Sequence, residues 1–229
     1  MSIHRKICWA IIALLFITGL GAYFAAGDMP VIAIHFNAQG EPDFTAPPFW
    51  AFFNIPITGL GLMFLFKFIH RFEKKKENIK KSSTYIRAEM ILIYVLLLIV
   101  QIMLVAHAYD IMAFNVRVIF AFMGVFLIIS GNYMPKSRHN IVIGLQTPWT
   151  LKSEQVWIRT HRLAGRLFIL GGAIIAATAF FLNTDTYLIV LFTSAFLPIL
   201  LPSVLSYIYW RQEQKTKPKY KTTASNSDL

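Results

Sequence analysis

Ile7-Cys-Trp-Ala-Ile-Ile-Ala-Leu-Leu-Phe-Ile-Thr-Gly-Leu-Gly-Ala-Tyr-Phe-Ala-Ala26 is a run of 20 residues without a charge. A helix of that length, at about 1.5 Å rise per residue, spans a hydrocarbon core of ~30 Å. Five further apolar runs follow: Trp50 to Phe66, Met90 to Ala106, Val118 to Tyr133, Leu167 to Leu182 and Tyr187 to Trp210. The chain of 229 residues is 56% hydrophobic and 14% charged. Soluble domains carry roughly 25% charge, and disordered chains need low hydrophobicity, so both classes are excluded. Six helices of ~20 residues occupy about half the chain and leave loops rather than a soluble domain. The expected fold is therefore all-α, a polytopic membrane protein with six transmembrane helices.

The charges orient these runs. With the N-terminus inside, the cytoplasmic segments hold 21 of the 22 Lys and Arg residues, and only Arg117 falls outside. The net charge of +11 then separates into +15 inside and −4 outside. Basic residues near span ends mark the cytoplasmic side, so both termini are expected there. Arg5-Lys6, the apolar stretch and Ala25-Ala26-Gly27 loosely resemble a signal peptide, but the run exceeds the usual 7–15 residues of such a segment. Cys8 is the single cysteine, which excludes an intrachain disulfide.

Polar groups inside spans are few: Asn54, Gln101, and His107, Asn115 and Arg117 at span ends. No span carries a charge near its middle, which weighs against an ion-coupled transporter. Asn54 and Gln101 are expected to hydrogen-bond between helices. Asp110 and Arg117 flank a short turn and are expected to pair, with Arg117 snorkelling to the surface. Gly19, Gly21, Gly59, Gly61, Gly171 and Gly172 suit close helix contacts. Pro56, Pro198 and Pro202 are expected to kink helices that pack against neighbours.

Two loops carry the chemistry. In the first, Val31 to Phe36 reads as an extended segment, and Asn37-Ala-Gln-Gly40 as a turn with Gly40 at positive φ. His35, Glu41 and Asp43 have metal-ligand chemistry, but their spacing fits no ligand pattern. The loop reads either as a polar turn docked on helix ends or as an external receptor surface. In the second, Thr147 precedes proline and is expected to be extended. Ser153 is a good N-cap, with Glu154 at the positive end of the helix dipole. Arg159, Arg162 and Arg166 form a basic stripe, while Trp149 and Trp157 suit the headgroup zone. This segment reads either as an interfacial helix on anionic lipid or as a docking face for a cytoplasmic partner. The lysines Lys74, Lys75, Lys76, Lys80 and Lys81 are expected to form a cytoplasmic hairpin held to anionic headgroups. They lack the interleaved aromatics of a nucleic-acid binder. No catalytic, cofactor or metal motif is evident.

Pro30 with His35-Phe36-Asn37-Ala38-x-Gly40-Glu41-x-Asp43 resembles the N-terminal membrane domain of SdpI-type proteins. Gly144-Leu-Gln-Thr147-Pro148-Trp149-Thr150-Leu-Lys-Ser153-Glu154-x-x-Trp157-x-x-Thr160-His161-Arg162-x-x-Gly165 resembles their C-terminal domain. Gln146 stands where the family pattern has Arg, and Phe44-Thr-Ala-Pro-Pro48 replaces a Gly-Tyr-x-Ser-Lys-like stretch. The missing catalytic motifs argue against an enzyme, and the resemblance implies a bacterial plasma-membrane protein that resists a secreted toxic peptide and transduces a signal by holding a cytosolic repressor at the membrane. It also implies an N-terminal membrane domain over 1–110, a C-terminal domain over 111–212 and a polar cytoplasmic tail over 213–229. The candidate external sensing residues are His35, Asn37, Glu41 and Asp43. The candidate cytoplasmic docking residues are Thr147, Pro148, Trp149, Thr150, Trp157, His161 and Arg162. The partners are the lipid bilayer, an extracellular peptide and a repressor protein, with no cofactor and no direct nucleic-acid contact. A small transporter or exporter of a peptide or lipid-like compound is the alternative. An integral membrane enzyme is a third reading.

Overall fold

The computed structural model describes residues 3–69 and 76–216. Its elements are α1 (Ile3–Ala25), strands β1 (Ile32–Phe36) and β2 (Pro42–Ala46), α2 (Pro48–Ile69), α3 (Lys76–Lys81), α4 (Ser83–Ala108), α5 (Val116–Tyr133), α6 (Glu154–Thr178) and α7 (Thr184–Thr216). A 3₁₀ turn over Met134–Lys136 follows α5. The tail beyond 216 and the lysines Lys74 and Lys75 lie outside the described residues.

Each apolar run lies wholly or mostly in a helix. Five helices, α1, α2, α4, α5 and α7, are long and apolar enough to cross a membrane. The fifth run behaves differently. Leu167 begins only the apolar second half of α6, because the helix starts at Glu154 and carries Arg159, Arg162 and Arg166 in its first half.

The helices pack as two groups, α1 with α2 and α4, and α6 with α5 and α7, joined along α4 and α5. The first group surrounds Cys8, Ile12, Met63 and Tyr94 at one end and Ala22, Phe52 and Leu104 at the other. Tyr94 Oη donates to the carbonyl of Gly59 at 2.8 Å. Gln101 Nε2 donates to the carbonyl of Phe52 at 3.2 Å, the expected interhelical bond. A methyl on Gly19 would lie 2.7 Å from the same Phe52 oxygen, so a small residue is required there. Gly21 and Gly61 face open space and have no such role. Pro56, Pro198 and Pro202 are all buried against neighbours.

The second group is held by backbone proximity. A methyl on Gly131 would stand 2.6 Å from the Gly165 carbonyl oxygen, and one on Gly165 would stand 2.6 Å from the Gly131 oxygen. Two turns along, Gly124 and Gly172 repeat the arrangement at 2.6 and 2.5 Å. These two reciprocal pairs run α5 and α6 antiparallel in direct contact. Close approach maximises dispersion between helices when the surrounding lipid is as apolar as the side chains.

Arg117 departs from its expected pairing. Its Nη1 donates to the carbonyls of Ala179 and Leu182, both at 2.8 Å, and no ion pair joins it to Asp110. The last carbonyls of a helix lack intrahelical donors and sit at its negative end, so a cation beside the C-terminus of α6 gains more than one at an exposed turn. Asp110 instead takes a left-handed conformation, φ 55°.

Glu89 was hidden from the sequence reading. It is buried against Tyr85 and Ser130 between α4 and α5, and its Oε1 has no hydrogen-bond partner. It immediately precedes the apolar run, so the linear pattern places it outside the span.

Candidate functional site

The first loop folds into a hairpin. Strands β1 and β2 pair antiparallel, with Ile32 opposite Ala46 and His35 opposite Phe44. The alternation of Val31 to Phe36 sends Ile32 into the core beside Ala26 and Phe52. Phe36 stacks on Phe114 with ring centroids 3.9 Å apart and meets the His107 ring edge-on at 4.9 Å. The turn is built by Asn37, whose Oδ1 accepts from the amides of Gln39 and Glu41 at 3.0 and 2.9 Å. Gly40 follows at φ 87°, where a side chain would be strained and would press on the Phe114 carbonyl.

The four candidate sensing residues come together on this hairpin. His35 Nδ1 and Asp43 Oδ1 are 2.5 Å apart across the strands, and both side chains are exposed. Asn37 Nδ2 donates to Glu41 Oε2 at 3.1 Å across the turn. Among the described residues no group of three or more His, Cys, Asp or Glu side chains converges. Beneath the turn, a cleft of about 480 Å³ opens between Gln39, Gly40, residues 112–118 and Thr184.

The second loop is organised around Trp157 and His161, one turn apart on α6. Both are fully buried. Their rings stack at 3.9 Å and 19°. Trp157 Nε1 donates to the Ser137 carbonyl at 3.1 Å, so this indole sits inside the protein and not in the headgroup zone. His161 Nδ1 bonds to the Trp157 carbonyl at 2.8 Å, and its Nε2 accepts from the Leu145 amide at 3.0 Å. That pattern requires neutral imidazole protonated at Nδ1. Burial lowers the His161 pKa to about 4; the Trp157 carbonyl pulls it upward and His139 lowers it further. Gly144 sits at φ 116° directly on His161 Nε2, so neither a side chain nor a different backbone fits.

Thr150 closes the Thr-Pro-Trp-Thr turn. Its Oγ1 accepts from the Thr147 amide at 2.8 Å and donates to the Leu145 carbonyl at 2.9 Å. Thr147 Oγ1 lies 2.9 Å from Ser206 Oγ on α7, and Trp149 packs on Tyr207 at 5.1 Å. Ser153 caps α6 as expected: its Oγ accepts from the Val156 amide at 3.3 Å and also bonds to Glu213. Loss of this cap is expected to cost about 1 kcal/mol. Ser153→Ala should therefore lower the thermal unfolding midpoint in detergent, and an unchanged midpoint would remove the cap from the account.

The seven candidate docking residues thus divide. Thr150, Trp157 and His161 are buried and shape the loop from within, whereas Pro148 and Arg162 are exposed and Thr147 and Trp149 are half-buried. Pro148, Trp149 and Gln146 line a groove of about 550 Å³ shared with Ser203, Val204 and Tyr207 of α7. The basic stripe also divides. Arg159 is turned to α7, bonding Gln212 at 3.2 Å and stacking over Tyr209 at 4.2 Å, while Arg162 and Arg166 remain exposed. The groove-forming residues of α7 escaped the sequence reading, because Ser203, Val204 and Tyr207 lie in an apolar run with no local motif.

No solved structure matches the chain. Residues 136–206, which contain the whole Trp157–His161 loop, match the model of the SdpI/YfhL protein family. The chain is 31% identical over 162 residues to a curated protein, Immunity protein SdpI of Bacillus subtilis (strain 168), covering 70% of this chain and 74% of that protein. With five membrane-competent helices and this relationship, the chain is a multi-pass membrane protein, and it belongs to the SdpI/YfhL protein family.

Proposed function

We propose that this protein gives its cell resistance to a secreted toxic peptide and transduces that encounter to a cytosolic repressor. The observation that carries the reading is the 31% identity, over most of both chains, to a protein named for immunity. In this reading the second half of α6 completes a sixth span, and both termini lie in the cytoplasm of a bacterial plasma membrane. Residues 1–110 form a sensing half and 111–212 a docking half, followed by the tail at 213–229.

The hairpin then faces outward. Its His35–Asp43 and Asn37–Glu41 pairs offer exposed polar contacts above the cleft at Gly40. A turn already closed by Asn37 loses little freedom on binding, which favours affinity. The Trp149 groove and the exposed Arg162 face inward. Its aromatic and basic character suits an acidic or amphipathic partner surface. Thr150, Trp157 and His161 act there as positioning residues.

The test is survival. The protein is expressed in a sensitive bacterium and challenged with candidate toxic peptides. Protection is expected, and survival equal to an empty vector for every peptide would overturn the reading. His35→Ala is expected to reduce survival at least tenfold while leaving the protein level unchanged. Trp149→Ala should keep protection and weaken membrane recruitment of the regulator. Wild-type protection by His35→Ala would remove the hairpin from the sensing role.

A further inference from the structure

The end of the molecule opposite the hairpin holds a cleft of about 490 Å³ among α1, α2, α3 and α4. Its inner walls are apolar, formed by Trp9, Met63, Phe64, Ile86 and Met90. Its rim carries four cations, one from each of the four helices: Arg5, Lys67, Lys80 and Arg87. No carboxylate among the described residues pairs with any of them. Arg87 spends one guanidinium nitrogen on Ser83 and Thr84, at 3.0 and 3.3 Å, and its buried Nε has no hydrogen-bond partner. Like charges gathered together repel one another, and an unsatisfied buried donor carries a desolvation penalty. An anionic group at the rim relieves both.

The position of the cleft narrows the occupant. It lies at the ends of three membrane-competent helices, where α1 begins, α2 ends and α4 begins. Trp9 and Phe64 are exposed on it, so its apolar part opens to the hydrocarbon. A polypeptide entering there would leave backbone donors and acceptors unmet. An acyl chain has none. The phosphate of an anionic lipid supplies several acceptor oxygens for Lys and Arg at the headgroup level.

We propose that this cleft holds one anionic phospholipid, its phosphate on Arg5, Lys67, Lys80 and Arg87 and an acyl chain between Phe64 and Met90. The assignment rests on the multi-pass membrane character alone and is independent of toxin resistance. A bound lipid here bridges α1, α2 and α4 and ties α3 to them.

The full chain is purified in detergent, stripped of lipid and titrated with phosphatidylglycerol or with phosphatidylcholine of the same acyl chains. Retention is read by native mass spectrometry and by the shift in thermal unfolding. Phosphatidylglycerol is expected to be retained at least tenfold better. Arg5→Gln with Lys80→Gln, both at exposed positions, should reduce that preference at least fivefold. Lys152→Gln with Lys215→Gln, also at exposed positions, removes the same charge elsewhere and should leave it unchanged. Met90→Trp fills the apolar part and should weaken retention with no change of charge. Equal retention of the two lipids, or equal loss in both charge pairs, overturns the proposal. Displacement of phosphatidylglycerol by millimolar inorganic phosphate overturns the acyl-chain part of it. Displacement by an acidic peptide at equal concentration reassigns the cleft to a protein partner.

Discussion

Trp157→Ala is expected to lower unfolding stability in detergent by about 3–5 kcal/mol, the range for deleting a buried aromatic. Three losses combine. The indole fills a fully enclosed volume, its Nε1 holds the Ser137 carbonyl, and its face supports the His161 ring. Trp157→Phe separates them. It keeps most of the packing and loses the donor, leaving a buried carbonyl unmet at about 1–3 kcal/mol. A Phe variant as stable as wild type would show that the Ser137 bond adds nothing. The same hub predicts a pH dependence. In the unfolded chain His161 titrates near 6.5, and in the folded protein near 4. As pH falls, the unfolded chain takes up the proton first, so stability is complete above about 6.5, declines towards pH 4 and then levels. The shift is worth about 3 kcal/mol across that window. His161→Gln should flatten this slope relative to wild type, and parallel pH profiles would reject the assignment.

Gly165→Leu is expected to abolish the packed form of the second helix group. Its first added carbon would stand 2.6 Å from the Gly131 carbonyl and within 2.9 Å of the Pro135 ring. Backbone cannot yield as a flexible side chain does, so α5 and α6 must separate. Overpacking in a well-filled core costs typically 1–3 kcal/mol. Here the added bulk is larger, and the whole helix contact depends on the distance. The variant should run as aggregate or as a protease-sensitive species on size exclusion. Gly61→Leu is the control, because that glycine faces open space. A monodisperse Gly165→Leu protein with wild-type protease resistance would mean that the helices are held by something else.

Much of the architecture follows from one-dimensional signals. A membrane span needs only length and apolarity, so Ile7 to Ala26 and Met90 to Ala106 declare themselves. The hairpin was legible for similar reasons, since extended Val31 to Phe36 and the Asn37–Gly40 turn are local. Ser153 announced its cap because capping is set within four residues. What escaped is set by distant neighbours. Trp157 reads as an interfacial tryptophan by type, and only the folded loop from Ser137 to Leu145 encloses it. Arg117 reads as a partner for nearby Asp110, but the carbonyls it meets are more than sixty residues away. The glycines at 124 and 131 went unremarked and Gly165 entered only as a motif position, because each is meaningful only opposite its mate. Of the docking residues, the linear motif could not say which point outward. Three of the seven are buried, and the groove that Thr147, Pro148 and Trp149 border is completed by α7.

The reciprocal glycine pairs also shape how the gene can tolerate change. At most packed positions, damage from a larger residue is repaired by a smaller one facing it. Neither Gly131 nor Gly165 can shrink further, so no compensating substitution exists at the opposing site. Genetic suppressors of a lesion at Gly165 should therefore map to the flanking contacts, foremost Pro135, which meets the same added carbon. A suppressor screen that instead returned changes at residue 131 would show that the two helices can slide past each other.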